Sequence, residues 1–269
     1  MPRNPQTIPQ LIKAVQAQYT GLDAQIWRDP ASQNLQKRSF PQFYGLCLDL
    51  AGFLASLGVQ RGDPVGLLGE NRPEWSIADI GIQSAGACDV PRGRDITDQE
   101  IRIIYGTTSC KVVVVERDIE LKRLLEAKPD LPALATLILM EGSPASANQD
   151  GVRLVSFDAA LSQGAAWRAT HAGAVESLVD AGNGEELATI IFTSGTTGKP
   201  KGVMLTQTNY LNHVSGGRER LATEPGDVWM TMLPVWHSFE RSVQYIALGN
   251  GVALAFSKPV ASVMMKDFA

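Results

Sequence analysis

A chain of 269 residues with 44% hydrophobic and 19% charged side chains carries enough apolar material to bury a sizeable core, and its length falls between one large domain and two. Twenty-four basic against 28 acidic side chains leave a net charge of −4, without the basic excess that a nucleic-acid partner would demand. Three cysteines (Cys47, Cys88, Cys110) and three histidines (His171, His213, His237) show neither C-x-x-C nor H-E-x-x-H spacing, which points to reduced thiols in a cytoplasmic protein and to no structural metal.

The first residues, MPRNPQTIPQLIKAVQAQY, place prolines and polar groups where a secretory signal would carry its apolar stretch. No apolar run reaches membrane-spanning length. From Ser39 the pattern becomes regular. Ser39 and Gln42 form a capping-box pair, and Phe43, Leu46, Leu50, Phe53, Leu54 and Leu57 recur at helical spacing until Gly58 ends the run. After a turn at Arg61-Gly62-Asp63, residues 65–68 read as a strand. Glu70 and Asn71 lie at its end, and Pro73 opens a helix through Trp75 and Ala78 to Ile82.

A strand is expected at 88–91. Thr97 and Glu100 cap the next helix, through Ile101 and Ile104, and the KVVVVE run at 111–116 predicts a strand apolar on both faces. A helix over 121–127 and strands over 136–140 and 152–157 continue the alternation. Strands alternating with helices predict an α/β fold whose mainly parallel sheets are covered by helices. Residues 141–151 and 164–185, rich in Gly, Ala, Ser and Asn, read as surface connections. The weakly marked boundary near 181–186 divides the chain into a first α/β subdomain, 1–185, and a second block, 186–269.

That block opens with ATIIFTSGTTGKPKGVMLT over 188–206. A short apolar run at 187–192 gives way to Thr193, Ser194, Gly195, Thr196 and Thr197, each a glycine or a hydroxyl carrier, so a buried strand empties into a polar loop. Gly195, Gly198 and Gly202 allow close backbone approach, and Lys199 and Lys201 add positive charge. Donors, hydroxyls and lysines on one bend suit a polyphosphate. The P-loop of nucleotide hydrolases is excluded by spacing: Thr193 stands where its first glycine should be, and Pro200 where its hydroxyl residue should be. Residues 202–205 read as a second strand, and Thr206 as the cap of a helix through Tyr210, Leu211 and Val214 toward Leu221, loosened at Gly216-Gly217.

TSGTTGKPKG resembles the phosphate-loop signature of the adenylate-forming enzymes, which include acyl-CoA synthetases, luciferases and peptide-synthetase adenylation domains. LPVWHSFER at 233–241 is similar to the family's next motif in the form used by long-chain fatty acyl-CoA and acyl-carrier-protein ligases. NRPEW at 71–75 and GACDVPRG at 86–93 extend the resemblance. It implies that 193–202 holds the β- and γ-phosphates of ATP, accompanied by Mg2+, with Lys199 and Lys201 balancing charge. It also implies that His237 lies between the nucleotide and acyl pockets, changing rotamer during the reaction. The substrate implied is a fatty acid, and the acceptor coenzyme A or an acyl carrier protein. Trp236 and Phe239 are expected either to line an acyl channel or to fill the core, and Glu240 with Arg241 to form a local ion pair.

The resemblance implies that an adenine-binding aromatic and glutamate, a ribose-binding aspartate and a C-terminal domain with the catalytic lysine should follow the histidine motif, and none of them is recognised up to Ala269. The expectation is therefore an incomplete catalytic domain, weak or inactive alone, with a sheet edge left open. The alternatives are a non-catalytic ATP-binding remnant or interaction module and, against the failed spacing, a P-loop kinase or hydrolase.

Overall fold

Local capping chemistry sets where the first helices begin. In the computed structural model, which describes residues 5–193, 200–218 and 220–257, α1 (Ile8–Gln18) starts at Thr7, whose hydroxyl accepts from the Gln10 amide, with Pro9 in the first turn. Two short strands follow, β1 (Asp23–Arg28) and β2 (Leu35–Ser39), paired antiparallel. Ser39 then caps α2 (Phe40–Ser56) in a complete capping box with Gln42, and Gly58 adopts φ +78° beyond its end.

Strand and helix alternate from there: β3 (Pro64–Leu68), α3 (Pro73–Ser84), β4 (Cys88–Arg92), α4 (Asp98–Thr108), β5 (Val112–Val115), α5 (Asp118–Glu126) and β6 (Thr136–Leu139). Pro73 is the first residue of α3, and Thr97 and Glu100 complete the box that caps α4. A two-residue strand β7 (Asn148–Gln149) pairs with β8 (Val152–Ser156). Next come α6 (Phe157–Thr170), α7 (Ala174–Asp180), the hairpin of β9 (Leu187–Thr193) with β10 (Lys201–Thr206), and α8 (Gln207–Arg218), which runs through Gly216 and Gly217. β11 (Val228–Thr231), α9 (Ser238–Gly249) and β12 (Ala253–Phe256) complete the described residues.

The strands form two sheets. The larger has the order β10-β9-β4-β3-β5-β6-β8-β7, parallel throughout its interior and with an antiparallel strand at each edge. The smaller has the order β11-β12-β1-β2, with β1 parallel to β12 in the register Gln25↔Leu254. Both sheets mix strands from 1–185 with strands from 186–269. Four consecutive valines in β5 show how the larger sheet is covered: Val112 and Val114 enter the core packed by α2 and α3, while Val113 and Val115 enter the core packed by α4 and α5. Burial on both faces, worth about 1.5–3 kcal/mol per side chain, is what the unbroken apolar run encodes.

Two stretches differ from the sequence expectation. Residues 164–185 are not a plain connection, since α6 continues to Thr170 and α7 follows. Gly164 explains this: a Cβ there would stand 1.7 Å from the Asp49 carbonyl oxygen, and one on Gly52 would stand 2.8 Å from the Gly164 oxygen. The small residues let α6 lie directly on α2, and Arg168 locks the pair through Asp49 at 2.6 Å. The second difference is the 23–39 hairpin, whose half-exposed strands carry no clear alternation. All three cysteines are buried and unpaired.

The expected local pair of Glu240 and Arg241 does not form. Arg241 is completely buried, and all five of its N–H donors find acceptors. Nε donates to the Tyr245 hydroxyl at 2.9 Å, Nη1 to Asp89 Oδ1 at 2.9 Å and to Thr189 Oγ1 at 3.0 Å, and Nη2 to carboxylate oxygens of Asp79 and Asp89. Tyr245 donates to Asp79 at 2.7 Å, and Thr189 to Asp89 at 2.7 Å. Gln83 donates to Asp79 and Tyr245 and accepts from Gln207, which in turn accepts from the Ile8 amide. Glu240 instead accepts from Gln244 at 3.1 Å, and burial raises its pKa against that bond.

Burial pushes the Asp89 carboxyl up to about 7, against the opposing pull of Arg241 and with Asp79 adding to the rise. Between pH 3.8 and about 7 the folded state therefore binds a proton at Asp89 more readily than the unfolded chain does, so this contribution to stability is full below pH 3.8 and is lost as pH rises through about 7. Asp89→Asn is expected to flatten this slope, on the order of a few kcal/mol between pH 4 and 7, in urea titrations at stepped pH. Arg241→Met, which removes the donors that face the buried carboxyl groups of Asp79 and Asp89, should lower unfolding stability by about 3–5 kcal/mol in the same assay. An unchanged urea midpoint would show that the cluster does not support the fold.

Candidate functional site

Because β3, β4, β5 and β9 run parallel, the chain leaves Leu68, Arg92, Val115 and Thr193 at one edge of the larger sheet. This is where open α/β sheets place ligands. At that edge β9 turns back into β10 with Thr193 paired to Lys201, both side chains exposed. Ser194, Gly195, Thr196, Thr197, Gly198 and Lys199 lie outside the described residues. Gly202 serves packing, since a Cβ there would come within 2.9 Å of Ile190 Cγ2 and 3.2 Å of the Phe192 ring.

His237 caps the start of α9 from an extended backbone, φ −87° and ψ 145°, with its side chain exposed. Its carbonyl accepts from the Arg241 amide at 3.3 Å, so the buried guanidinium four residues on anchors the turn that carries the imidazole. Asn71, at the end of β3, fastens the preceding loop: its Nδ2 donates to the Leu233 carbonyl at 2.7 Å, and its Oδ1 accepts from the Val235 amide at 3.0 Å. Phe239 is 67% exposed, which removes the core-filling alternative for it.

The half-buried Trp236 lies with its ring centroid 4.0 Å from that of His237, and the Arg92 guanidinium sits 5.3 Å over the indole. Arg92, the last residue of β4, also donates to the Phe192 carbonyl at 3.3 Å and to Glu100 at 3.0 Å. Burial works to raise the Glu100 pKa, but the Thr97 amide and hydroxyl, with Arg92, hold it below its ordinary value. The carboxylate therefore stays ionised opposite the guanidinium. One arginine thus touches the strand leading into Thr193 and the tryptophan beside His237.

A second set of contacts joins the neighbouring loops. Glu116, following β5, accepts from the Glu70 amide at 2.7 Å and from Arg94 Nη1 at 3.3 Å, while Glu70 accepts from the Arg94 amide at 2.9 Å. Asn71, Arg92, Arg94 and Glu116 were not singled out as site residues from the sequence. Three of them stand in or beside the NRPEW and GACDVPRG blocks, at strand ends, and position at a parallel strand's carboxyl end was the available signal. Among the described residues, no three His, Cys, Asp or Glu side chains converge on a cation position.

A sequence model of the family described as AMP-binding enzyme matches residues 14–269. A chloroplastic long-chain-fatty-acid–[acyl-carrier-protein] ligase of Arabidopsis thaliana is 31% identical over 232 residues, covering 83% of this chain and 32% of that protein. The peroxisomal long chain acyl-CoA synthetase 7 of the same plant is 31% identical over 216 residues, 79% of this chain and 30% of its own length. In fold, the chain is similar to the inhibitor-bound N-terminal domain of FACL13 from Mycobacterium tuberculosis, with TM-score 0.73 and 22% identity over 93% of this chain and 57% of that one. These 269 residues thus span about a third of the length of the curated relatives they match, and among the described residues no helix is long and apolar enough to cross a membrane. With the family model running from residue 14 to residue 269, and with an α/β sheet that opens its parallel strand ends beside a glycine- and hydroxyl-rich hairpin, the chain belongs to the AMP-binding enzyme family.

Proposed function

We propose that the chain supplies the phosphate-binding portion of a ligase that activates a long-chain fatty acid with ATP and passes the acyl group to a thiol. The observation that carries this reading is the Thr193–Lys201 pairing, which closes the hydroxyl-rich hairpin at the edge where the His237 turn also lies. A carboxylate is a poor acyl donor because its leaving group would be oxide. In the proposed first step a carboxylate oxygen forms a bond to the α-phosphorus of ATP. The bond from that phosphorus to the bridging oxygen breaks, and pyrophosphate departs with the electron pair. A thiol then attacks the acyl carbonyl, its proton lost to a base, and AMP leaves.

Such chemistry asks for position and charge neutralisation. Thr193, Ser194, Gly195, Thr196, Thr197 and Gly198 are assigned to the β- and γ-phosphates through amides and hydroxyls, and Lys199 and Lys201 to their charge. Magnesium, arriving with the nucleotide, would neutralise phosphate oxygens. His237 is assigned to the border between nucleotide and fatty acid. Coenzyme A and an acyl carrier protein are both fitting acceptors, since the two plant relatives are named for one each. A cytoplasmic setting accords with the composition, although those relatives are named chloroplastic and peroxisomal.

With about a third of the relatives' length in hand, the 269-residue chain is expected to bind nucleotide without turning it over. Calorimetric titration with magnesium-ATP should show binding that Lys201→Met weakens roughly tenfold, the effect of losing one charged contact to phosphate. Equal affinity in the variant would remove Lys201 from the site. Exchange of labelled pyrophosphate into ATP, with hexadecanoic acid present, should stay at background for the chain alone. Brisk exchange would show that these residues already make a complete catalyst.

A further inference from the structure

Arg92, Trp236 and His237 form a run of side-chain contacts that nothing in the proposed reaction requires a priori. Its central member gives up a hydrogen bond to be there: Trp236 Nε1 is buried and has no partner among the described residues, a loss that packing must offset. Its space is reserved by the backbone, since a Cβ on Gly93 would fall 2.2 Å from that nitrogen. The His237 ring and the Arg92 guanidinium both lie against the indole. Arg92 is itself fixed by Glu100 and by the carbonyl of Phe192, immediately before Thr193.

We infer that Arg92 and Trp236 are positioning residues, holding the His237 imidazole in one orientation and tying that orientation to the strand that feeds the phosphate hairpin. This rests on the reading of His237 and the hairpin proposed above. The guanidinium suits the role: it lies over the indole while its Nη1 donates to the strand carbonyl, and its several donors on one planar group make the two contacts compatible. Nucleotide seated in the hairpin would press on Phe192 and Thr193, and these contacts carry that displacement to the imidazole.

Histidine-selective 13C–1H spectra of the 269-residue chain test this without relying on turnover. There are three histidines to resolve, and His237→Gln assigns the signal of interest. His171, stacked on Trp167 with centroids 4.2 Å apart and planes 8° apart, serves as an internal reference for an indole-shifted ring and as a check on folding. The His237 ε1 proton should resonate upfield in the native chain and move downfield in Trp236→Leu, with Trp236→Phe restoring part of the shift. Arg92→Met and Gly93→Ala, which both act on the indole, should move it the same way, while His171 stays in place. Magnesium-ATP should shift the native His237 signal, and Arg92→Met should weaken nucleotide binding by about threefold.

A His237 signal unmoved by Trp236→Leu or by Arg92→Met would overturn the inference. So would a moved signal with unchanged nucleotide affinity. Failure of the native chain to bind magnesium-ATP would instead sink the proposed function, and the variant spectra would still decide whether these contacts hold His237.

Discussion

A charge sealed in a protein interior must be met on every side, and Arg241 satisfies that demand by drawing four elements together. Its partners come from α3, β4, β9 and α9 itself, and the hydrogen-bonded chain continues through Gln83 and Gln207 to the amide that begins α1. No local partner could have replaced them. A guanidinium with one acceptor on its own helix would leave several donors desolvated, each costing about 1–3 kcal/mol. The arginine therefore fixes α9 against the larger sheet, and His237, one turn before it, inherits that placement.

Above this cluster, the mouth of the site is made from strand ends joined by short polar contacts. Asn71 spends both ends of its amide on the backbone of residues 233 and 235, and Glu116 spends both carboxylate oxygens on the loops after β3 and β4. These groups hold loops that apolar packing cannot hold, because Met232, Leu233 and Phe239 are largely exposed. Precision at this edge thus comes from hydrogen bonds, while the strands beneath it are positioned by valines and leucines buried on both faces.

Much of this was legible from spacing. The two capping boxes, the proline opening α3 and the valine run of β5 are local signals, and each produced its element within a residue or two. Legibility ended where the cause lay far away in the chain. Gly164 looks like a loop residue until Asp49 is known to lie against it. Arg241 reads as one half of an adjacent pair, because its true partners stand 152 and 162 positions away. β1 and β2 carry charged, half-exposed residues with weak alternation, and their pairing is decided by a strand from the far end of the sequence. At the site, the polar hairpin and His237 were singled out from their motif. Arg92 and Trp236 gain meaning only from being in contact.

The parallel pairing of β1 with β12 has a consequence for how the protein is made. At the pace of translation, on the order of ten seconds or more separates the emergence of these two strands from the ribosome. During that interval the free edge of β1 has no native neighbour, although its hairpin with β2 can form at once. The nascent chain must keep that edge from pairing with other chains, so a slowed ribosome or a scarce chaperone would harm the small sheet before the large one.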